Sequence, residues 1–322
     1  MGEFELIARH FTRKSKRALL GVGDDCALLQ PRPGTQLAVS SDMLVAGRHF
    51  FDDVDPCSLG HKALAVNLSD LAACGAKPLA FTLALALPSV DDAWLSRFSL
   101  GMLTLAQAHD CELIGGDTTR GPLNICITVM GETEGTALLR SGAQVGDDVY
   151  VSGTLGDAHL ALRALQGRLS LPEPLLASAR QRLERPEPRV ALGLALREVA
   201  SAAIDVSDGL IGDLGHVLKA SGVGATLQTE ALSALLGLKH NPLWSQAPSE
   251  IEGLDAVLAG GDDYELAFTA PVHAREAVVQ AAARSATAVH RIGRIEREAG
   301  LRLMDRQGRA VEHRLRAFDH FA

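Results

Sequence analysis

Aspartates set close to glycine or serine recur in short apolar segments along this chain of 322 residues. A carboxylate at the end of a buried strand, or on the inner face of a helix, is expensive to desolvate, and carboxylates that lie close together repel one another. A chain with several such segments can fold around them only where a strong positive charge balances them. The seven aspartates stand in Gly23-Asp24-Asp25, Ser40-Ser41-Asp42, Ser69-Asp70, Gly116-Asp117 and Asp205-Val206-Ser207-Asp208.

The chemistry of these segments predicts a site for hard cations. They offer carboxylates and hydroxyls, and no cluster of histidine or cysteine with matching spacing accompanies them. Oxygen donors of this kind favour Mg²⁺. Taken together, the aspartates predict one site with several Mg²⁺ ions and phosphate groups, and Mg²⁺ in turn indicates a nucleotide triphosphate.

Taken singly, an aspartate beside glycine or serine is more typical of a turn or a helix N-cap. That interpretation remains open for Asp24, Asp147, Asp148 and Asp157. The alternative is therefore a set of structural aspartates with no common function, and the choice between the two depends on the individual surroundings.

Three positions favour function more strongly. Asp70 falls within a helix, predicted between Leu59 and Cys74, whose apolar residues indicate burial. An unpaired carboxylate there would be costly, and metal ligation would remove that cost. Asp205 and Asp208 flank the end of a predicted strand, where functional residues are common.

Length and composition predict a folded protein of two domains. The chain is 47% hydrophobic and 22% charged, which is ordinary for a globular enzyme, and domains usually hold roughly 100–200 residues each. The net charge of −8, without a basic stripe interleaved with aromatics, argues against nucleic acid as a partner.

Cysteine usage and the N-terminus predict a cytoplasmic protein. The five cysteines are odd in number and never form a Cys-x-x-Cys pair, which is typical of a reducing compartment. The first residues, Met1-Gly2-Glu3-Phe4-Glu5, are acidic and do not begin a signal peptide. No apolar run approaches the roughly 20 residues of a membrane helix, so no membrane contact is expected.

Well-known nucleotide and hydrolase motifs are missing from the sequence. It contains no Gly-x-x-x-x-Gly-Lys-Ser/Thr loop, no complete dinucleotide-binding glycine pattern, no His-Glu-x-x-His and no Gly-x-Ser-x-Gly. The predicted phosphate site therefore belongs to none of those classes.

Local patterns predict the segments that carry the candidate residues. A strand over 37–42 delivers two hydroxyls and a carboxylate at its end, and a strand over 111–114 ends in Gly115-Gly116-Asp117. The basic run over 13–17 is expected to be a solvated loop. In the second half, a strand over 203–207 leads into a helix, and Gly260-Gly261-Asp262-Asp263 precedes another strand.

Six segments, taken in order, closely resemble the thiamine-monophosphate kinase family, and the resemblance runs essentially from end to end. Any one of them is short and unspecific, whereas six at compatible spacing are highly specific. They are Gly21–Ala27, Ser40–Phe50, Lys62–Ala73, Gly115–Gly121, Asp205–Leu210 and Gly260–Leu266.

The resemblance implies the PurM-like (aminoimidazole ribonucleotide synthetase-like) fold, an α/β (α+β) architecture of two domains. Residues 1–136 would form an N-terminal α/β domain that binds ATP and Mg²⁺ and builds a homodimer through its sheet. Residues 137–322 would form the C-terminal α/β domain.

The resemblance also implies the reaction, in which ATP and thiamine monophosphate give thiamine diphosphate and ADP. The enzyme would be a phosphotransferase with a phosphate group as acceptor, and no residue would act as general base. Several Mg²⁺ ions would be held by Asp25, Ser40, Ser41, Asp42, Asp70, Asp117, Asp205 and Asp208. ATP would contact Gly116, Asp117, Arg140 and Ser207, and thiamine monophosphate would contact His49, Asp262 and Phe318.

Two of these positions differ from the family pattern. The family usually has Glu where Asp262 stands, and often Tyr or Trp where Phe318 stands. An aromatic ring at Phe318 would still stack on the thiamine rings.

Two alternatives stay open at this stage. One is another ATP-using member of the same superfamily, such as aminoimidazole ribonucleotide synthetase or selenophosphate synthetase, although the latter would call for a reactive N-terminal Cys in a glycine-rich loop. The other is a non-catalytic protein that binds Mg²⁺ and nucleotide. The acidic positions occur in both halves of the chain, which favours an enzyme that joins two substrates.

Overall fold

The computed structural model describes residues 2–13, 15–246 and 250–312, without the side chains of residues 3, 4, 246 and 250–252. The described chain forms two compact units. The N-terminal unit comprises Met1–Leu71 and Ala76–Ala137, and the C-terminal unit comprises Ala72–Gly75 and the described part of Leu138–Ala322.

The helices of the described chain are α1 (Glu3–Leu6), α2 (Pro56–Ala73), α3 (Asp92–Ala108), α4 (Asp157–Leu165), α5 (Glu173–Glu184), α6 (Val190–Leu196), α7 (Leu210–Ser221), α8 (Thr229–Ser233), α9 (Glu250–Ala259) and α10 (Arg275–Arg284). A π-helical turn, Ile7–Phe11, follows α1, and short 3₁₀ turns occur at Gly237–His240, Pro242–Gln246 and Val272–Ala274.

The strands are β1 (Thr35–Val45), β2 (Lys77–Leu87), β3 (Glu112–Arg120), β4 (Asn124–Glu134), β5 (Asp148–Ser152), β6 (Ala202–Val206), β7 (Gly224–Gln228), β8 (Glu265–Ala270), β9 (Val289–Glu296), β10 (Gly300–Met304) and β11 (Ala310–Val311). The strand predicted over 111–114 is longer than expected, since β3 continues through Gly115-Gly116-Asp117 to Arg120. Its parallel pairing with β2 supplies the hydrogen bonds that carry it past the two glycines.

The N-terminal unit is built on a four-stranded sheet in the order β1-β4-β2-β3. Strand β4 pairs antiparallel with both β1 and β2, and β2 pairs parallel with β3. Alternate residues point to opposite faces of a strand. On β4, Ile125, Ile127 and Val129 are buried on one face, while on β1, Val39 and Met43 are more than half exposed on the other.

Helix α2 is buried along nearly its whole length, as its apolar pattern predicts. Leu64 and Leu68 are inaccessible to solvent, and the polar residues Lys62, Asn67 and Ser69 are buried as well. Asp70 is half-buried near the end of the helix. A helix with apolar residues on all sides belongs inside a protein, so its polar groups need partners.

The described part of the basic run near the N-terminus is a loop, as its sequence predicts, and it is hydrogen-bonded to β3. The Glu112 carboxylate accepts hydrogen bonds from the Ser15 hydroxyl at 2.6 Å and from the backbone N–H groups of Lys16 and Arg17 at 2.8 and 3.1 Å. Burial by itself raises the pKa of Glu112, but these hydrogen bonds outweigh it and hold the pKa below its ordinary value. Ser15, Lys16 and Arg17 are therefore held against β3 by these hydrogen bonds.

The C-terminal unit contains a seven-stranded sheet in the order β11-β10-β7-β9-β5-β8-β6 among the described residues. Strand β8 is antiparallel to both of its neighbours, β5 and β6. All residues of β5, β6 and β8 are buried. The loops that follow β6 and precede β8 leave the same end of this buried sheet, because neighbouring antiparallel strands run in opposite directions.

None of the helices in the described ranges combines the length and the apolar character that crossing a membrane requires.

Candidate functional site

Strand β1 and helix α2 bring three of the predicted residues of the N-terminal unit together. The Ser40 hydroxyl donates to the Asp70 carboxylate at 2.5 Å. Two residues further along β1, the backbone N–H of Asp42 donates to Asn67 Oδ1 at 3.0 Å. Ser40 and Asp42, two residues apart, lie on one face of β1, and Asn67 and Asp70, three residues apart, lie on one face of α2. Ser40, Asp42 and Asp70 therefore meet at one strand-helix contact.

Asn67 is the residue that links the strand to the helix. It is 1% exposed, and its Nδ2 donates to the Ala63 carbonyl at 3.0 Å while its Oδ1 accepts from Asp42. Both ends of the amide are satisfied, as a buried amide requires. The contact of Asn67 with β1 could not be predicted from the sequence.

Ser41 lies on the opposite face of β1. Its hydroxyl donates to the Ile127 carbonyl at 3.1 Å and is 3.0 Å from Thr128 Oγ1, both on β4. Strand alternation separates this side chain from those of Ser40 and Asp42. The predicted role of Ser41 as a metal ligand stays a prediction.

His49 follows β1 in a tight turn and has a defined tautomer. The backbone N–H of Val45 donates to His49 Nδ1 at 3.0 Å. A ring nitrogen that accepts from an N–H carries no proton, so Nε2 carries the proton of the neutral imidazole. The hydrogen bond with Val45 therefore fixes the orientation of the half-buried His49 ring.

Gly116 and Asp117 lie on β3, at the edge of the sheet opposite to β1. The cross-strand row that contains Asp42 continues through Ile127 and Leu83 to Gly116. Three strand spacings, about 14 Å, separate Asp42 from Gly116. The exposed Asp117 side chain is therefore not part of the cluster formed by Ser40, Asp42 and Asp70.

Gly116 cannot carry a side chain without a backbone shift. Its φ is +145°, and a Cβ built there would lie 1.8 Å from the Leu83 carbonyl oxygen. We expect Gly116→Ala to lower the free energy of unfolding by about 2 kcal/mol. At the neighbouring Gly115, a Cβ would lie 3.9 Å from Thr82 Cγ2, so Gly115→Ala is the matched control. Urea unfolding measures the free energy of unfolding of both variants. An equal decrease in Gly115→Ala and Gly116→Ala would contradict the expectation.

Asp24 and Asp25 lie in the exposed segment before β1. The Asp24 carboxylate accepts a hydrogen bond from the backbone N–H of Asp25 at 2.8 Å, a local contact typical of turn residues. Asp25, the predicted ligand, exposes its side chain.

In the C-terminal unit, Asp205, Ser207 and Asp208 occupy the end of β6 and the turn into α7. Asp205 is 6% exposed. The backbone N–H groups of Ser207 and Asp208 both donate to Asp213 Oδ2, each at 3.0 Å. Burial raises the pKa of Asp213 to about 6, and the nearby Asp208 charge acts in the same direction, while the backbone N–H groups oppose it.

The segment before β8 packs against this turn. The backbone N–H of Asp262 donates to the Ser207 carbonyl at 2.9 Å, and that of Tyr264 donates to the Val206 carbonyl at 2.8 Å. Asp262 and Tyr264 adopt positive φ values of 67° and 52°, which are uncommon for residues other than glycine. The structure thus joins two segments that the sequence assigned separately, to nucleotide and to thiamine monophosphate.

A buried charge network surrounds Glu265, three residues after Asp262. Glu265 is inaccessible to solvent and forms a paired contact with Arg189, with Nε–Oε2 and Nη2–Oε1 distances of 2.6 Å. Arg182 Nη2 adds a contact at 2.9 Å and the Ser152 hydroxyl one at 2.6 Å. Although burial raises the pKa of Glu265, Arg189 and Arg182 outweigh it and hold the pKa below the ordinary value.

Asp263 belongs to the same interior but has a different environment. Both of its carboxylate oxygens accept from the Gly156 N–H, at 3.1 and 2.8 Å. Burial raises the pKa of Asp263 well above its ordinary value, and the charges of Asp157 and Glu265 add to the rise. Sequence reasoning missed this network, because distant positions such as Arg182 and Arg189 carry no local motif.

Arg140 and Phe318 are the remaining predicted contacts of ATP and of thiamine monophosphate in the C-terminal half of the chain. Arg140 is exposed in the C-terminal unit, and its carbonyl accepts from the Ser221 hydroxyl at 3.3 Å. Phe318 lies outside the residues that the structure describes.

The donor set fits Mg²⁺, although the described residues form no closed metal cage. Within 2–13, 15–246 and 250–312, no three His, Cys, Asp or Glu side chains are grouped so that they could hold a metal ion. Mg²⁺ is usually bound by one or two carboxylates together with water and substrate phosphates. Pairs of hard oxygens such as those of Ser40 and Asp70 are of that kind.

Known proteins share both halves of this architecture. Residues 23–133 match the model of the AIR synthase related protein, N-terminal domain, and residues 144–306 match that of its C-terminal domain. A thiamine-monophosphate kinase from Salmonella typhimurium is 47% identical over 327 aligned residues, covering 100% of this chain and 98% of the relative. The chain belongs to the thiamine-monophosphate kinase family.

Solved structures agree with this membership. A crystal structure of thiamine-monophosphate kinase from Stenotrophomonas maltophilia is 45% identical, with a TM-score of 0.83 and 96% of each chain covered. The structure of AaThiL complexed with AMPPCP and TMP is 29% identical, with a TM-score of 0.75, covering 91% of this chain and 89% of that one. The predicted membership in the thiamine-monophosphate kinase family and the two-domain PurM-like fold are confirmed.

Proposed function

We propose that this chain phosphorylates thiamine monophosphate with ATP and releases thiamine diphosphate and ADP. The observation that carries the proposal is 47% identity to a thiamine-monophosphate kinase over the full length of the chain. The AaThiL structure with AMPPCP and TMP supports the same pair of substrates. The hydroxyl and carboxylate groups gathered at Ser40, Asp42 and Asp70 suit phosphate chemistry that depends on Mg²⁺.

The proposal assigns Mg²⁺ ions to two sets of residues. Bound Mg²⁺ would neutralise phosphate charge and align the reacting groups. In the N-terminal unit the ligands are Asp25, Ser40, Ser41, Asp42, Asp70 and Asp117. In the C-terminal unit they are Asp205 and Asp208.

The acceptor makes a general base unnecessary. A phosphate monoester has a second pKa of about 6, so at neutral pH it is already ionised. The barrier lies in bringing two polyanions together, since one pair of unit charges ~4 Å apart costs about 4 kcal/mol at an effective dielectric constant of roughly 20. The proposal assigns the binding of ATP to four residues, Gly116, Asp117, Arg140 and Ser207. Among them, the exposed Arg140 would place a positive charge beside the phosphates of the nucleotide.

The proposal assigns thiamine monophosphate to three residues. His49 is held in a fixed orientation by the hydrogen bond of its Nδ1 with the Val45 N–H. Asp262 presents its carboxylate from a backbone with positive φ, a conformation that is often maintained at functional sites. Phe318 would contribute an aromatic ring for stacking.

A direct test follows the phosphorus nuclei. Purified protein is incubated with ATP, MgCl₂ and thiamine monophosphate, and ³¹P NMR is expected to show the coupled pair of signals of thiamine diphosphate as the monophosphate signal falls. Reactions without thiamine monophosphate, and with EDTA in place of MgCl₂, are the controls. Loss of ATP without a new diphosphate would contradict the proposal and favour another ATP-using reaction. Binding of nucleotide with no turnover would favour a regulatory protein.

Direct transfer predicts a stereochemical outcome. The γ-phosphoryl group passes in line from ATP to the acceptor oxygen in one displacement, so an ATP made chiral at the γ-phosphorus should give product with inverted configuration. Net retention would mean two displacements and a phosphorylated enzyme, and would exclude the direct route.

The homodimer predicted from the sequence is part of the proposal. The face of the N-terminal sheet that carries Ser41 also carries Leu37, Val39 and Met43, which are 44%, 59% and 52% exposed. Neighbouring exposed apolar residues of this kind are typical of protein contacts. A cytoplasmic location also remains part of the proposal.

A charge on this face should separate the proposed dimer. We expect Val39→Arg to give a monomer in sedimentation velocity, because a buried unpaired guanidinium is strongly unfavourable. Leu100→Arg on α3, at a leucine that is 62% exposed, is the matched control and should remain dimeric. A dimeric Val39→Arg variant would show that the subunits meet elsewhere.

A further inference from the structure

Asp213 makes an unusual contact for a residue inside a helix. It stands on the fourth residue of α7, is 4% exposed, and receives two backbone N–H groups on one oxygen. Those N–H groups belong to Ser207 and Asp208, which precede the helix. The carboxylate therefore reaches back over the helix start and fixes the turn in front of it.

The turn is held from its other side as well. The Ser207 carbonyl accepts from the Asp262 N–H at 2.9 Å. Gly209 follows with φ of 111°, and a Cβ there would lie 2.9 Å from the backbone of Ala259. Asp213 is thus the polar side chain that satisfies the N–H groups of the turn, while the loop before β8 satisfies a carbonyl group.

A simple capping role does not account for a buried carboxylate here. Helix N-caps are usually short side chains on the residue before the helix, and they contribute about 1 kcal/mol. The N-cap of α7 is Gly209, which has no side chain to offer. Asp213 instead accepts the backbone N–H groups of two consecutive residues, Ser207 and Asp208. The proposed function assigns an ATP contact to Ser207 and a Mg²⁺ ligand to Asp208.

We propose that Asp213 is a positioning residue, which holds the backbone of Ser207 and Asp208 in the conformation that binds Mg²⁺-nucleotide. The inference rests on the proposed function for the roles of Ser207 and Asp208. The N-terminal unit contains a similar contact, in which the buried Asn67 accepts the N–H of Asp42, another predicted ligand. In each unit a helix side chain thus accepts the backbone N–H of a predicted metal ligand.

The test compares Asp213→Ala, Asp213→Asn and Asp91→Ala. Asp91 is the matched control, because its Oδ1 also accepts two backbone N–H groups, from Ala93 and Trp94 at the start of α3, with no predicted site residue among them. Four quantities are measured: thermal stability, kcat and KM for ATP, affinity for Mg²⁺-AMPPCP, and hydrogen exchange of the Ser207 and Asp208 amides.

We expect Asp213→Ala to lose at least 30-fold in kcat/KM for ATP and 10-fold in affinity for Mg²⁺-AMPPCP, with faster exchange of both amides. Asp213→Asn should stay within about fivefold of the wild type, because a single amide oxygen can accept both N–H groups. Asp91→Ala should lose stability but keep its kinetic constants. If Asp213→Ala does not fold, Asp213→Ser, whose hydroxyl is too short for both contacts, replaces it with the same expected losses.

Three outcomes would overturn the inference. The first is kinetic constants for Asp213→Ala within threefold of the wild type, which would leave only a structural role. The second is an equal loss in Asp213→Asn, which would assign the effect to charge rather than to the accepted hydrogen bonds. The third is unchanged exchange of the two amides. Failure of the proposed function would give a different result, because the wild-type protein would then form no thiamine diphosphate. The affinity for Mg²⁺-AMPPCP and the hydrogen exchange of the Ser207 and Asp208 amides would still test the role of Asp213.

Discussion

We expect Asp70→Asn to lower kcat by about 10²–10³-fold, the loss typical of removing one group that stabilises transferring charge, while the protein still folds. An asparagine has nearly the same shape, and its carbonyl can accept the Ser40 hydroxyl that Asp70 accepts at 2.5 Å. What the variant lacks is the negative charge. If Asp70 holds Mg²⁺, its loss weakens the charge balance around the two phosphate groups.

Steady-state rates at increasing MgCl₂ concentration check this expectation, with circular dichroism to confirm folding. The loss should be partly recovered at high MgCl₂ if the variant binds the ion weakly. Asp24→Asn is the matched control, because the Asp24 carboxylate accepts the neighbouring Asp25 N–H and an asparagine oxygen can do the same. A rate for Asp70→Asn close to that of the wild type would make Asp70 a structural residue.

The second large effect concerns stability, in the buried network at Glu265. We expect Arg189→Met to lower the free energy of unfolding by about 3–5 kcal/mol, because removing one partner of a buried ion pair leaves the remaining charge poorly compensated. Glu265 is inaccessible to solvent, and of the partners described above Arg182 and Ser152 would remain beside it. Urea unfolding at neutral pH measures the loss.

The loss of stability in Arg189→Met should depend on pH. In the wild type the pKa of Glu265 is held below its ordinary value, so the carboxylate contributes stability above its unfolded-state pKa and loses it as the pH falls through the folded-state pKa. Without Arg189, burial should raise that pKa instead. The penalty of the variant should therefore be larger at pH 8 than at pH 5, where protonation relieves it.

Arg180→Met is the matched control for this effect. Arg180 pairs with Glu184 one turn later on α5, at 2.5 Å and closer to solvent. Ion pairs of this type contribute about 0.3–0.5 kcal/mol. Equal losses in Arg180→Met and Arg189→Met would mean that the buried network has no special weight.

The strand and helix that hold the N-terminal candidates were largely predictable. Apolar spacing located the strand of Ser40 and Asp42 and the buried helix of Asp70, because side-chain periodicity is a local property of the chain. The contact between Asn67 and Asp42 was not predictable, since it joins a strand and a helix 25 residues apart. Alternation alone could have placed Ser41 on the other face, once the strand was known.

Two local details were decided by tertiary contacts. The strand predicted over 111–114 continues to Arg120, because pairing with β2 compensates for the weak strand preference of glycine. The described part of the basic run is a loop, as predicted, but its backbone hydrogen bonds to Glu112 were not predictable. In both cases the partner lies far away in the sequence.

The aspartate motifs, read in order, determined by themselves the family and the two-domain fold, because motif identity and order are properties of the chain. Tertiary structure alone decided how those residues are held. It placed Asp42 and Asp70 at one strand-helix contact and Asp117 at the far edge of the sheet. It also brought the Asp213 carboxylate within hydrogen-bond distance of the Ser207 and Asp208 N–H groups. Buried polar groups must find partners wherever the fold brings them, and sequence spacing does not specify those partners.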